Sequence, residues 1–193
     1  MIHRSNTKQK KVAPNLFTQL LTVHGITPDN YRLPLAFGLL PGKRQEHYTN
    51  LLEELDRFGP FHPDTALCDY EAGLRNSVTA VWPGTTLRGC YFHFKQALWR
   101  NFARSDLVPE YQVVGSFQRI GALPFIPPGD VHYAWQTLRV RPILSADMDV
   151  FTLYFESTWM GTPNRPARFD HLSWNQYDCC LTGLPRSLNL AEG

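Results

Sequence analysis

Thr65 to Trp99 reads TALCDYEAGLRNSVTAVWPGTTLRGCYFHFKQALW, and the order of patterns within it decides the fold class. Thr65 to Tyr70 is a short apolar run that predicts a strand bearing an acidic residue, Asp69, at its end. Leu74, Val78 and Val81 then recur at helical spacing, and Pro83-Gly84 closes that helix. Thr85 to Phe94 predicts the next strand, with Cys90 and His93 on it as Cys-x-x-His. Strand, carboxylate, helix and strand in this order predict a mixed α/β domain. A carboxylate at the carboxyl end of a strand in such a domain sits where ligands and metals gather, so Asp69 is the first candidate site residue.

The neighbouring segments fit that domain. Leu16 to His24 is dense in apolar and β-branched residues and stops at Gly25, which predicts a strand. Thr27-Pro28-Asp29-Asn30 is turn chemistry, and Leu33 to Leu40 is a second apolar run closed by Pro41-Gly42, so the two runs predict antiparallel neighbours. Between Gln45 and Phe58 the period changes: Tyr48, Leu51, Leu52, Leu55 and Phe58 fall on one helical face. On the other side, Phe94, Leu98 and Phe102 recur every four residues and predict a helix. After Pro127-Pro128-Gly129, Asp130 predicts an N-cap for a helix buried through Val131, Ala134, Trp135 and Leu138. Another helix is expected from Asp147 to Trp159, and Gly161 to Arg168 reads as a loop. Residues 95–183 therefore form a mainly helical insertion, whereas residues 1–11, MIHRSNTKQKK, lack periodicity and read as a disordered basic arm.

With 193 residues and 43% hydrophobic content, the chain can bury a core without disulfide or metal staples. The net charge of +2 says little about partners, but Arg88, Lys95, Arg100 and Arg104 lie among Tyr91, Phe92, Phe94, Trp99 and Phe102. Basic groups interleaved with aromatics suit a nucleic-acid surface, through phosphate contact and base stacking. Solvated edges over a buried aromatic face give the same pattern. Cys68, Cys90, Cys179 and Cys180 do not have the spacing of a disulfide framework, and the first residues lack a signal peptide's apolar run. No apolar run approaches the roughly 18 residues a membrane span needs. A reducing interior, cytosolic or nuclear, is expected, with no membrane partner.

Five blocks carry a resemblance: VAPNLFTQLLTVHG (12–25), LPLAFGLLPGK (33–43), LCDYEAG (67–73), GCYFHFKQALWR (89–100) and LPRSLNLAEG (184–193). In order and spacing the chain resembles the Mutator-like element (MULE) transposases, from Val12 over nearly its whole length. The resemblance implies a ribonuclease-H-like core, a mixed sheet flanked by helices, holding three acidic residues of the Asp-Asp-Glu type. By that reading Asp69 is the second acidic residue and Glu192 the third, both catalytic and metal-holding. Cys90 and His93 match the family's Cys-x-x-His and support the site. Lys95, Arg100 and Arg104 would contact nucleic acid.

The resemblance further implies Mg²⁺ or Mn²⁺ as cofactor and transposon-end DNA as partner, in the nucleus. Hard oxygen ligands suit Mg²⁺, and two such ions about 3.5–4 Å apart can activate a water or 3′-hydroxyl and stabilise the leaving oxygen. Zinc is not expected, because Cys179, Cys180, His132 and His171 offer no second ligand pair at zinc-site spacing. Asp147, Asp149, Glu156, Asp170 and Asp178 read as surface charges.

The chain also departs from the family. Where an Asp-Gly-Thr-Phe block should supply the first carboxylate, the sequence reads Thr7-Lys8-Gln9-Lys10, and no acidic residue precedes Asp29. The asparagine pair before the glutamate is reduced to Leu188-Asn189, and the chain stops one residue after Glu192. A domain truncated at both ends, with an incomplete first strand and impaired catalysis, is therefore expected. The alternative is a domesticated, non-catalytic module that binds DNA or a protein.

Overall fold

The computed structural model describes residues 16–27, 29, 31–59, 61–105, 107, 115–140 and 148–188, with residues 2–5 as backbone. The chain divides into two compact units, Met1–Cys90 with Ser187–Gly193, and Tyr91–Arg186.

The first unit is mixed α/β. Strands β1 (Ile2–Ser5), β2 (Gln19–Ile26) and β3 (Arg32–Leu40) form an antiparallel sheet in that order. The expected hairpin is β2–β3, its turn closed by Thr27 N–H to Tyr31 O at 2.9 Å and its ladder shifted between Val23 and His24. The structure places Ile2–Ser5 on the free edge of β2, within the segment expected to be an unordered arm. Four residues are too few for periodicity to register, and an edge strand's open hydrogen-bonding groups provide the pairing that local sequence does not announce. The rest of that arm lies outside the described residues.

Helix α1 (Gln45–Phe58) covers the predicted span and buries Tyr48 and Leu52. Strand β4 (Thr65–Cys68) and strand β5 (Thr86–Gly89) pair in parallel around helix α2 (Ala72–Val81), as a right-twisted sheet and crossover helix require. β1 also comes within 8 Å of β4, Cα to Cα. Leu21, Val23, Leu40, Leu52, Leu74 and Val78 share the core of this unit with Trp82, whose indole N–H donates to Asp56 at 3.1 Å.

The expected strand Thr85–Phe94 is corrected: β5 stops at Gly89, and helix α3 (Tyr91–Arg104) has already begun at Tyr91. The aromatic run Tyr91-Phe92-His93-Phe94 looks like a strand locally, but the i, i+4 stripe of Phe94, Leu98 and Phe102 extends back through it. Each of those three is fully buried.

The second unit is helical, as expected. It contains α3, α4 (Ser116–Ala122), α5 (Val131–Arg139), α6 (Asp149–Phe155), α7 (His171–Trp174) and α8 (Tyr177–Thr182). Phe94 packs edge-on to Trp159 and stacks on Trp174, at centroid distances of 4.9 and 5.2 Å. Phe102 meets Phe117 and Phe151. Asp130 makes no side-chain cap to α5; a 3-10 turn over Pro128–Asp130 leads into the helix instead. The expected helix 147–159 ends at Phe155 and widens into a π turn, Glu156–Met160, closed by Gly161 N–H to Glu156 O at 2.7 Å. Asp147 lies outside the described residues. Among the described residues no helix is long and apolar enough to cross a membrane.

Candidate active site

β4 ends at Cys68, and Asp69 follows at once, half-buried. Its Oδ1 accepts the backbone N–H of Glu71 at 3.0 Å, an Asx turn that bends the chain from strand into α2. Glu71 is the α2 cap residue, but its carboxylate does not cap: Oε1 accepts the Tyr48 hydroxyl at 2.8 Å. The Tyr48 oxygen in turn takes the Gln19 amide N–H at 2.8 Å, and that amide also donates to Gly42 O at 3.0 Å. A polar chain thus runs from β2 through α1 to the β4–α2 turn, orienting Glu71 two residues from Asp69.

The floor beneath the turn is cationic and sulfur-rich. Arg75, on α2, is buried, directs NH1 to Cys68 Sγ at 3.9 Å and lies 5.5 Å from the centre of the Tyr70 ring. Burial pushes the Cys68 thiol up to about 12, with Arg75 pulling the other way, and burial also holds the Tyr70 phenol well above its ordinary value. Cys90 N–H donates to Cys68 O at 2.9 Å, and Cys90 Sγ accepts Leu188 N–H at 3.3 Å. The four cysteines are free thiols, of which Cys180 is exposed.

The predicted site residues divide as follows. Asp69 and Cys90 belong to the first unit, and Cys90 helps fix the end of β5 to the segment around Leu188. His93 is in the first turn of α3, in the second unit, so the Cys-x-x-His pair spans a strand end and a helix rather than lying on one strand. Glu192 lies outside the described residues. Lys95 is half-buried, with Nζ 4.0 Å from the centre of the Phe117 ring, and burial lowers its pKa. Arg100 and Arg104 are exposed on α3.

Sequence reasoning missed Glu71, Arg75 and the Tyr48–Gln19 relay. Glu71 was detectable in principle, since alternate residues of an extended segment share a side and it follows Asp69 by two. Nothing in the α2 stripe sets Arg75 apart from a solvated charge. Glu156, read as a surface charge, is buried: its Oε1 accepts Trp135 Nε1–H at 3.2 Å and Arg139 NH1 at 2.9 Å. Partners distant in sequence carry that compensation, so local pattern could not reveal it.

Among the described residues no group of three His, Cys, Asp or Glu side chains is placed to hold a metal ion. One carboxylate of the Asp69–Glu71 turn accepts a backbone N–H and the other a phenol. The described residues alone therefore do not fit a two-ion centre.

A family model, MULE transposase domain, matches residues 10–97. The match takes in β2 through β5, Asp69, Cys90 and His93, and it supports a transposase-related origin for this part of the chain. Neither the curated proteins nor the solved structures contain a match.

Proposed function

We propose that the chain is a MULE-type transposase domain of ribonuclease-H-like fold, whose ancestral reaction is Mg²⁺- or Mn²⁺-dependent DNA cleavage and strand transfer in the nucleus, and that this polypeptide does not itself cut DNA. The observation that carries the reading is Asp69 directly after β4, inside the segment that matches the transposase model. The element order supports it too: three antiparallel strands, a helix, and a parallel β4–β5 pair around α2, with β1 beside β4. A ribonuclease-H-like core has that order.

The proposed loss of cleavage rests on the neighbour of β4. β1 carries Ile2, His3, Arg4 and Ser5, with no carboxylate to share a cation with Asp69. Losing one carboxylate from a two-ion centre both weakens metal binding and misplaces the nucleophile. Incubating the chain with supercoiled plasmid and Mg²⁺ or Mn²⁺ should give no nicking above the Asp69→Ala variant. Nicking that Asp69→Ala abolishes would overturn the proposed inactivity while keeping the site; nicking that survives the substitution would sink the assignment of Asp69. The second reading, a domesticated DNA- or protein-binding module, is favoured by the same missing carboxylate and predicts a DNA gel shift that Asp69→Ala leaves unchanged.

A further inference from the structure

Strand β3 is an edge of the first unit's antiparallel sheet: the order is β1-β2-β3, and among the described residues no strand pairs with its outer side. An open edge presents unpaired N–H and C=O groups, and proteins blunt such edges with charges, prolines or bulges. In β3 those devices are gathered at the N-terminal end. Arg32 is its one charged residue, Pro34 has no N–H to donate, and the ladder shift between Val23 and His24 skips Leu35. From Ala36 to Leu40 the strand reads AFGLL, with no charge, proline or shift.

The two sides of this segment differ. A Cβ on Gly38 would lie 2.2 Å from Leu51 Cδ2, so α1 rests directly on that side, and Ala36 and Leu40 pack into the core with it. Successive strand residues alternate, so Phe37 and Leu39 face the other way. Phe37 is 65% exposed and Leu39 40%, large apolar side chains left in water by a sheet covered on its other side. The backbone has a matching direction. Leu40 O accepts the Thr18 N–H at 2.9 Å, so the polar groups of Leu40 turn toward the β2 side, and by alternation those of Leu39 and Phe37 turn outward.

We propose that β3 pairs antiparallel with β3 of a second copy of this chain, about a twofold axis at Phe37. The symmetry of the segment selects that partner. Leu35-Ala36-Phe37-Gly38-Leu39 alternates large and small residues and has nearly the same profile read in either direction. An isologous twofold contact needs such self-complementarity. Pairing about Phe37 sets each Phe37 against the other, Leu39 against Leu35 and Gly38 against Ala36, so large side chains meet large and small meet small. Phe37 and its copy then exchange both backbone hydrogen bonds, as opposed residues of a hydrogen-bonded antiparallel pair do. With no charge from Leu35 to Leu40, nothing on the segment selects a foreign strand of a particular sign. One strand of contact falls short of the roughly 800 Å² per partner of a standard interface, so the dimer is weak, with a dissociation constant on the order of 10 μM. Nothing in this pairing depends on the chemistry proposed for Asp69.

Sedimentation of the full chain over a concentration series tests it. The expected result is a passage from monomer to dimer centred on the order of 10 μM. Phe37→Lys and Phe37→Glu, at an exposed position, should each set like charges face to face across the axis and weaken association about tenfold. An equimolar mixture of the two variants should associate more tightly than either alone, because the lysine then faces the glutamate. Only a contact in which residue 37 meets its own copy gives that pattern. Phe58→Lys removes an apolar side chain that is exposed at the end of α1 and should leave association unchanged. Melting curves that match the wild type separate a lost contact from a lost fold. A wild-type chain that stays monomeric at about 100 μM leaves the edge to a foreign strand and overturns the proposal. Association untouched by both Phe37 variants, or a mixture no tighter than its components, overturns it as well.

Discussion

A Cβ built on Gly89 would lie 2.3 Å from the Tyr70 ring, so the end of β5 and the residue after Asp69 are matched by the absence of one carbon. Gly89→Ala should cost about 1–3 kcal/mol by forcing the ring aside. In a Tyr70→Leu background the penalty should shrink, and a double-mutant cycle in urea would measure the difference. Cys68 makes a second residue-scale prediction. Its folded-state pKa of about 12 lies above the ordinary 9.0, so the unfolded chain loses this proton first as pH rises. Stability is fully present below pH 9 and falls toward pH 12, by at most about 1.4 kcal/mol per pH unit. Cys68→Ala should flatten the decline just above pH 9, before Tyr70, also raised by burial, adds its own loss. Asp69 was readable at this scale because a carboxylate after a short apolar run is a local pattern. The relay through Tyr48 and Gln19 was not, since its members lie on three different elements.

At the scale of elements, α1 came directly from its apolar stripe, and the same stripe predicts its energetics. Leu52 is fully buried in the core that holds Trp82. Leu52→Ala should therefore cost about 2–5 kcal/mol, read as an earlier transition in Trp82 fluorescence. The helix–π junction is the opposite case. Glu156 interrupts an otherwise apolar run and looks like a solvent-facing charge until α5 brings Trp135 and Arg139 to it. Glu156→Ala should cost about 1–3 kcal/mol, the modest end because Arg139 is half-exposed, with Trp135 as the reporter. The boundary between β5 and α3 was misplaced for a related reason. Aromatic residues suit a half-buried strand, and only the burial of Phe94 between Trp159 and Trp174 selects the helix.

For the whole molecule, each unit buries apolar side chains of its own, and Asp69 falls in the first. If the missing carboxylate of β1 abolishes the two-ion centre, as proposed, melting curves in Mg²⁺, in Mn²⁺ and in chelator should coincide. A rise in Tm with Mg²⁺ that Asp69→Asn removes would show that a competent site forms after all. The sequence by itself determined the mixed α/β core, the hairpin, α1, the placement of Asp69 at a strand end and the helical character of the second unit. Hydrophobic period and turn chemistry are written within a dozen neighbouring residues, so these features needed no tertiary information. Only the tertiary structure decided that Ile2–Ser5 pairs with β2, that Arg75 and Glu156 are buried, that Cys90 follows a strand end while His93 lies in a helix, and that α5 and α7 bring two imidazoles together. Each of those depends on hydrogen bonds or ring contacts between segments far apart in the chain, and local pattern does not encode such contacts.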